Sequence, residues 1–164
     1  MTTEILIRNY RSEDTQALAN IYFHTIHRIN IKHYTQEQVD VWAPESSLEG
    51  EGWAKKFLRT DPIIAVVGDK IVGFAEFEPS GHIDCFYCHH EWIGKGVGSA
   101  LMNEIFTRAK NSNIDRLFSE VSITAKPFFE KQGFVVLSEQ KMVRKGIELT
   151  NYKLNESCIK DDKS

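Results

Sequence analysis

The chain has 164 residues, 20 of them basic and 23 acidic, for a formal net charge of −3; that length suits one domain with a core of its own. A 41% hydrophobic and 26% charged composition is ordinary for a soluble protein, and with no basic excess nucleic acid is not an expected partner. The odd set Cys85, Cys88 and Cys158 excludes a disulfide scaffold, and neither a signal-peptide core nor an apolar run of about 18 residues occurs, so a cytoplasmic protein without a membrane partner is expected.

The first alternation, Glu4 to Arg8, predicts a short strand. Ser12 offers a cap for a helix from Glu13 to Arg28, in which Leu18, Ile21, Tyr22, Thr25 and Ile26 recur at helical spacing. Thr35 and Gln38 form a capping-box pattern for a helix from Gln36 to Val41, ending before Pro44. Ser47 is the expected cap of a third helix reaching Arg59, weakened at its start by Gly50 and Gly52. Pro62 to Val67 and Ile71 to Glu78 then read as a hairpin, and His82 to His89 as a third consecutive strand. Ser99 to Ala109 is strongly helical, Leu117 to Val121 a strand, and Thr124 to Lys131 a short helix stopped by Gly133. Phe134 to Val143 and Ile147 to Leu154 complete the strands. The expected organisation is one mixed α+β domain over residues 1–154 and a polar tail from Asn155 to Ser164.

The chemistry-bearing segment is Ile93 to Ser99, IGKGVGS, between a strand and a helix. Three glycines in five residues free one backbone face. Several N–H groups can then converge on an anion, helped by the positive end of the next helix; a pyrophosphate suits such a cradle. A tight turn that only brings helix to strand would look the same. A P-loop needs a Gly-Lys-Ser/Thr that is absent, and the dinucleotide fingerprint needs two residues between its second and third glycines, where this loop has one.

The stretch GHIDCFYCHHEWIGKGVGSALM, Gly81 to Met102, resembles the acetyl-CoA motif of GNAT N-acetyltransferases. That motif, Gln/Arg-x-x-Gly-x-Gly/Ala, falls on Ile93, Gly96 and Gly98. A second block, SITAKPFFEKQGF from Ser122 to Phe134, resembles the family's following helix and its terminal Gly-Phe pair. The order of elements agrees along the chain, and the small bacterial YafP-like type is the nearest in pattern.

The resemblance implies an α+β fold with a seven-stranded mixed sheet, helices on both faces, and a split between the fourth and fifth strands. It implies acetyl-CoA as co-substrate and no metal. Backbone groups of Phe86, Tyr87 and Cys88 would pair with pantetheine. Amides of Gly94, Lys95, Gly96, Val97, Gly98 and Ser99 would hold the pyrophosphate, with Ile93, Ser122, Phe128 and Phe129 along the cofactor. Two departures stand out: Ile93 cannot bond phosphate through its side chain, and Phe129 occupies the place of a tyrosine that in many relatives protonates the leaving thiolate. The implied activity is transfer of acetyl to a primary amine of a small molecule or peptide by direct attack. A non-catalytic CoA-binding module is the alternative, and family analogy adds a homodimer through the last strands.

Such a transfer needs a group to take the amine's proton and a donor for the developing oxyanion. His82 aligns with a glutamate that acts as base in some relatives, and a histidine titrates in the right range. Asp84 is an amine anchor or a plain cleft residue, and Glu76 a third candidate. Strict alternation puts His82, Asp84, Phe86 and Cys88 on one strand face and Ile83, Cys85, Tyr87 and His89 on the other, unless a bulge intervenes. Tyr87 and Tyr152 are the phenols that could serve as acid; core packing is the competing role for each. An acyl-cysteine on Cys85 or Cys88 is conceivable, with burial as small apolar side chains the default. Cys85, Cys88, His89 and His90 have zinc-like spacing, but alternating faces of a strand do not build a tetrahedral site. His24, His27, Trp42 and Trp53 would wall the acceptor side or cover the sheet.

Overall fold

Strand β2 (Ile63–Val67) reads IIAVV, and four of its five residues are buried. Continuous apolar runs of this kind mark a strand covered on both faces. Ile63 and Ala65 meet one core cluster and Ile64 and Val66 another. The computed structural model describes residues 4–157.

The remaining elements, in chain order, are β1 (Leu6–Asn9), α1 (Thr15–Arg28), α2 (Gln36–Trp42), α3 (Gly50–Thr60), β3 (Lys70–Phe77), β4 (His82–Cys88), α4 (Val97–Asn111), β5 (Arg116–Ser122), α5 (Lys126–Lys131), β6 (Val135–Arg144) and β7 (Ile147–Ser157). One sheet takes the order β1-β2-β3-β4-β5-β7-β6. Its pairs are antiparallel except β4 with β5, which run parallel across the α4 crossover. This is the expected seven-stranded mixed sheet.

Helix α4 covers one face, burying Leu101, Met102, Ile105 and Ala109 against Ile63, Val72, Ala75 and Ile83. Helices α1 and α3 cover the other, with Leu18, Ile21 and Phe57 on Ile64, Val66 and Phe74. Burying one such side chain is worth about 1.5–3 kcal/mol. Gly73 in β3 sets how closely α4 can approach: a Cβ there would lie 2.7 Å from Val97 Cγ1. The first turn of α4 therefore rests directly on the sheet.

Local signals and structure agree at several points. Thr35 accepts from the Gln38 amide at 3.1 Å, and Gln38 Oε1 from the Thr35 amide at 2.9 Å, completing the capping box. The β2–β3 hairpin forms across Gly68 and Asp69. The third helix differs: Ser47 lies in a 3-10 turn (Glu45–Leu48), and α3 begins after Glu49. Its start is held by tertiary bonds, with Trp53 Nε1 donating to the Ser47 carbonyl at 2.8 Å. The last strand runs further than expected, to Ser157, because Asn155, Glu156 and Ser157 pair with Phe118, Leu117 and Arg116. Cys158 and the rest of the expected tail lie outside the described residues.

Candidate active site

The loop before α4 turns twice through left-handed backbone, at Gly94 (φ 76°) and Gly96 (φ 91°), where glycine alone is unstrained. Gly96 is the N-cap residue of α4 and, being glycine, offers no side chain to the amides of the first turn. Val97, Gly98 and Ser99 therefore present open N–H groups at the positive end of a 15-residue helix. A Cβ on Gly98 would lie 2.9 Å from Phe128 Cε1, so the glycine also lets α5 close against α4.

Beyond the loop, β4 and β5 part. They pair only at His82 with Phe118 and Ile83 with Ser119. From Asp84 onward β4 pairs with no strand on that side among the described residues, the expected gap. Opposite, the β3–β4 register shifts by one residue between the pairs Ala75–Phe86 and Phe77–Ile83. The shift breaks the alternation: Ile83, Phe86 and Cys88 face the α4 core, while Cys85 and Tyr87 face α1 and α3. The strictly alternating assignment is corrected accordingly, and the bulge is the reason.

A cavity of about 720 Å³ runs from Gly94, Gly96, Gly98 and Ser99 through the gap to a chamber walled by Tyr22, Trp42, Trp53 and Tyr87. Tyr22 meets Trp53 edge-on at 4.8 Å and Tyr87 at 5.1 Å. The chamber also contains charge. Lys56 Nζ lies 2.9 Å from Glu76 Oε1 and 3.1 Å from Asp84 Oδ2. Burial opposes the Lys56 charge, but Cys85, Glu76 and Asp84 outweigh it and raise its pKa. Glu76 is completely buried, and Thr60 Oγ1 donates to its other oxygen at 2.5 Å. It is a structural counter-ion, not a reacting group. Glu120, Lys131 and Arg144 also border the cavity, with neutral polar groups such as Asn30 and Asn151.

Asp84, Phe86, Tyr87, Cys88, Ile93, Gly94, Gly96, Gly98, Ser99, Ser122, Phe128 and Phe129 all border this one cavity. Ile93 is nearly half exposed at its edge. Ser122 Oγ accepts from the Ala125 amide at 3.0 Å and ties the end of β5 to α5. Four expected residues are elsewhere. Val97 is in the core and gives the site only its backbone. Lys95 lies over the Trp92 ring, 5.2 Å from its centre. Tyr152 packs at the margin of the α4 core, with Lys126 Nζ 5.4 Å from its ring centre, and does not border the cavity. It packs in the same cluster as Leu154 of its own strand.

His82 is likewise absent from the lining. Its Nδ1 is 2.5 Å from Glu78 Oε1 and its Nε2 2.7 Å from Glu120 Oε1. Burial alone would lower its pKa, but these two carboxylates hold it above the ordinary value. As an imidazolium, His82 donates from both ring nitrogens, one to each carboxylate.

The phenols are also committed. Tyr22 donates to the Trp42 carbonyl at 3.1 Å, and burial pushes its pKa up to about 12. Tyr34 donates to the Thr150 carbonyl at 2.6 Å and accepts from the Ile123 amide at 2.9 Å. Burial holds the Tyr87 hydroxyl well above its ordinary value. Burial also raises the Cys85 thiol and lifts Cys88 to about 12, so neither is a ready thiolate nucleophile.

Sequence reasoning missed Lys56, Glu120 and Arg144. Lys56 carried a signal: Trp53, Lys56, Phe57 and Thr60 share one stripe of α3, and a lysine on an inward stripe asks for a buried acid. Arg144, at the tip of the β6–β7 hairpin, reaches the chamber only through tertiary folding.

An acetyltransferase (GNAT) domain model matches residues 30–156. Over 148 residues the chain is 30% identical to the uncharacterized N-acetyltransferase YafP of Escherichia coli, covering 90% of this chain and 93% of that protein. Among solved structures, a GCN5-related N-acetyltransferase from Rhodopseudomonas palustris superposes with a TM-score of 0.87 at 26% identity, over 96% of this chain and 98% of that one. PaiA N-acetyltransferase from Thermoplasma acidophilum, solved with coenzyme A, shares the fold at 0.76 and 18% identity, over 94% and 99% of the two chains. The chain belongs to the GNAT acetyltransferase family, and its class is that of an N-acetyltransferase.

Proposed function

We propose that this protein moves the acetyl group of acetyl-CoA to a primary amine of a small molecule. The observation that carries this reading is the continuity of the cavity: it joins a helix N-terminus whose glycine cap has no side chain, a strand edge unpaired among the described residues and an aromatic chamber. Those parts suit, in order, a pyrophosphate, a pantetheine arm and an acceptor. Amides from Gly94 to Ser99 hold the pyrophosphate, and the free edge of β4 at Phe86 to Cys88 holds the pantetheine amides. The bound CoA in the PaiA structure and the acetyl-CoA in the yncA structure from Salmonella typhimurium support that choice of ligand.

In the transfer, the amine lone pair attacks the thioester carbonyl carbon, the C–S bond breaks, and CoA leaves as thiolate. The amine proton passes to Asp84 or Glu120, directly or through water; these are the first residues past the last β4–β5 pair, one on each strand. With a thiol pKa near 8.5 the leaving group needs little help from an acid, so Phe129 does not bar the reaction. The exposed Val135, Leu137 and Val143 on the edge strand β6 support a homodimer through that strand.

An amine-library screen that follows free thiol tests this function. Thiol release that depends on an added amine supports it. Acetyl-CoA binding without release for any amine would instead favour a CoA-sensing module.

A further inference from the structure

Within the chamber the charges are not equivalent. Lys56 is balanced by Glu76 and Asp84. Glu120 is balanced by His82. Arg144 borders the same cavity, close enough to the Tyr22 hydroxyl to act on it, and takes part in no ion pair among the described residues. A guanidinium presents a fixed fork of donors matched to a carboxylate. That fork lies near Tyr22 and borders the same cavity as Trp42, Trp53 and an acid, Asp84, which is the first β4 residue past the last β4–β5 pair. The chamber thus offers a cation, an apolar surface and an anion in one volume.

We propose that the acceptor is a zwitterionic amine with an apolar or aromatic side chain, its acid group taken by Arg144 and its amine directed to Asp84. An α-amino acid has this chemistry, and an aminophosphonate shares it. The proposal rests on the acetyltransferase reading and narrows it. It excludes simple alkylamines and polyamines as preferred substrates, because an alkylamine offers no anion to Arg144 and a polyamine's second charge has the wrong sign for it.

The test uses matched pairs: phenylalanine with phenethylamine, tyrosine with tyramine, tryptophan with tryptamine and leucine with isopentylamine. Acetyl-CoA turnover is followed by free thiol, and acetyl-CoA binding by calorimetry on the same protein. The amino acid of at least one pair should exceed its decarboxylated partner in kcat/KM. Arg144→Gln should shrink that ratio by roughly 10- to 100-fold, the worth of a charge-assisted hydrogen bond, with partial recovery in Arg144→Lys. A 1-aminophosphonate analogue of the best amino acid then separates the two acid sources, and preference for either acid over the bare amine upholds the anchor. Better turnover of every decarboxylated partner, or a ratio untouched by Arg144→Gln, would overturn the proposal, as would no turnover of any acid-bearing amine by protein that binds acetyl-CoA. Failure to bind acetyl-CoA at all would instead strike the acetyltransferase reading.

Discussion

The Ser119 hydroxyl donates to the Ile83 carbonyl at 2.7 Å, at the last pair joining β4 to β5. Past this bond the strands separate and the cavity begins. Ser119 is 2% exposed, so water cannot replace the bond if it is lost. Ser119→Ala should cost about 1 kcal/mol, the worth of a buried hydrogen bond with a neutral partner. Urea denaturation measures it, and a change below a few tenths would show that the bond does not hold the apex.

The Lys56–Glu76 pair should behave asymmetrically. Glu76 is fully buried, with Lys56 and Thr60 as its partners. Lys56→Met strands that carboxylate and should destabilise the protein by roughly 2–4 kcal/mol, below the full figure for a sealed pair because Lys56 is partly open to solvent. Adding Glu76→Gln removes the stranded charge, so the double variant should be more stable than Lys56→Met alone. The comparison is a denaturant midpoint for each variant, and additive losses would contradict the pairing.

Much of this was legible in the chain. The capping box at Thr35, the β2–β3 hairpin and the glycine loop are local patterns whose physics is complete within a few residues, and each forms where the pattern places it. The face assignment in β4 was not legible past Ile83, because one extra residue in the ladder reverses the parity and nothing in HIDCFYC marks it. The surroundings of His82 were not legible for a related reason. Its two carboxylate partners come from the preceding turn and from β5, 38 residues onward. Arg144 and Glu120 became visible only once two distant strand ends met around one cavity.

His82 supplies a pH-dependent term. Its folded pKa is raised, so its contribution to stability is fully present below the unfolded value, near 6.5, and is lost as pH rises through the folded value. The difference in Tm between the parent and His82→Gln should therefore be largest near pH 6 and shrink on the alkaline side. Thermal melts from pH 5 to 9 check the sign, and a difference growing with pH would contradict the imidazolium assignment.

The central claim is that the open amides of α4 take the pyrophosphate of acetyl-CoA, and calorimetric titration of acetyl-CoA into the parent and Gly96→Asp tests it most directly. The new side chain would sit at a left-handed φ of 91°, with its Cβ 3.7 Å from Ile5 Cδ1, and would bring a negative charge to the N-terminus of α4. The account predicts micromolar binding by the parent and loss of about a hundredfold or more in a variant that still unfolds cooperatively, as expected when like charge meets a phosphate cradle. Absence of binding in the parent, or equal binding by both proteins, would contradict it.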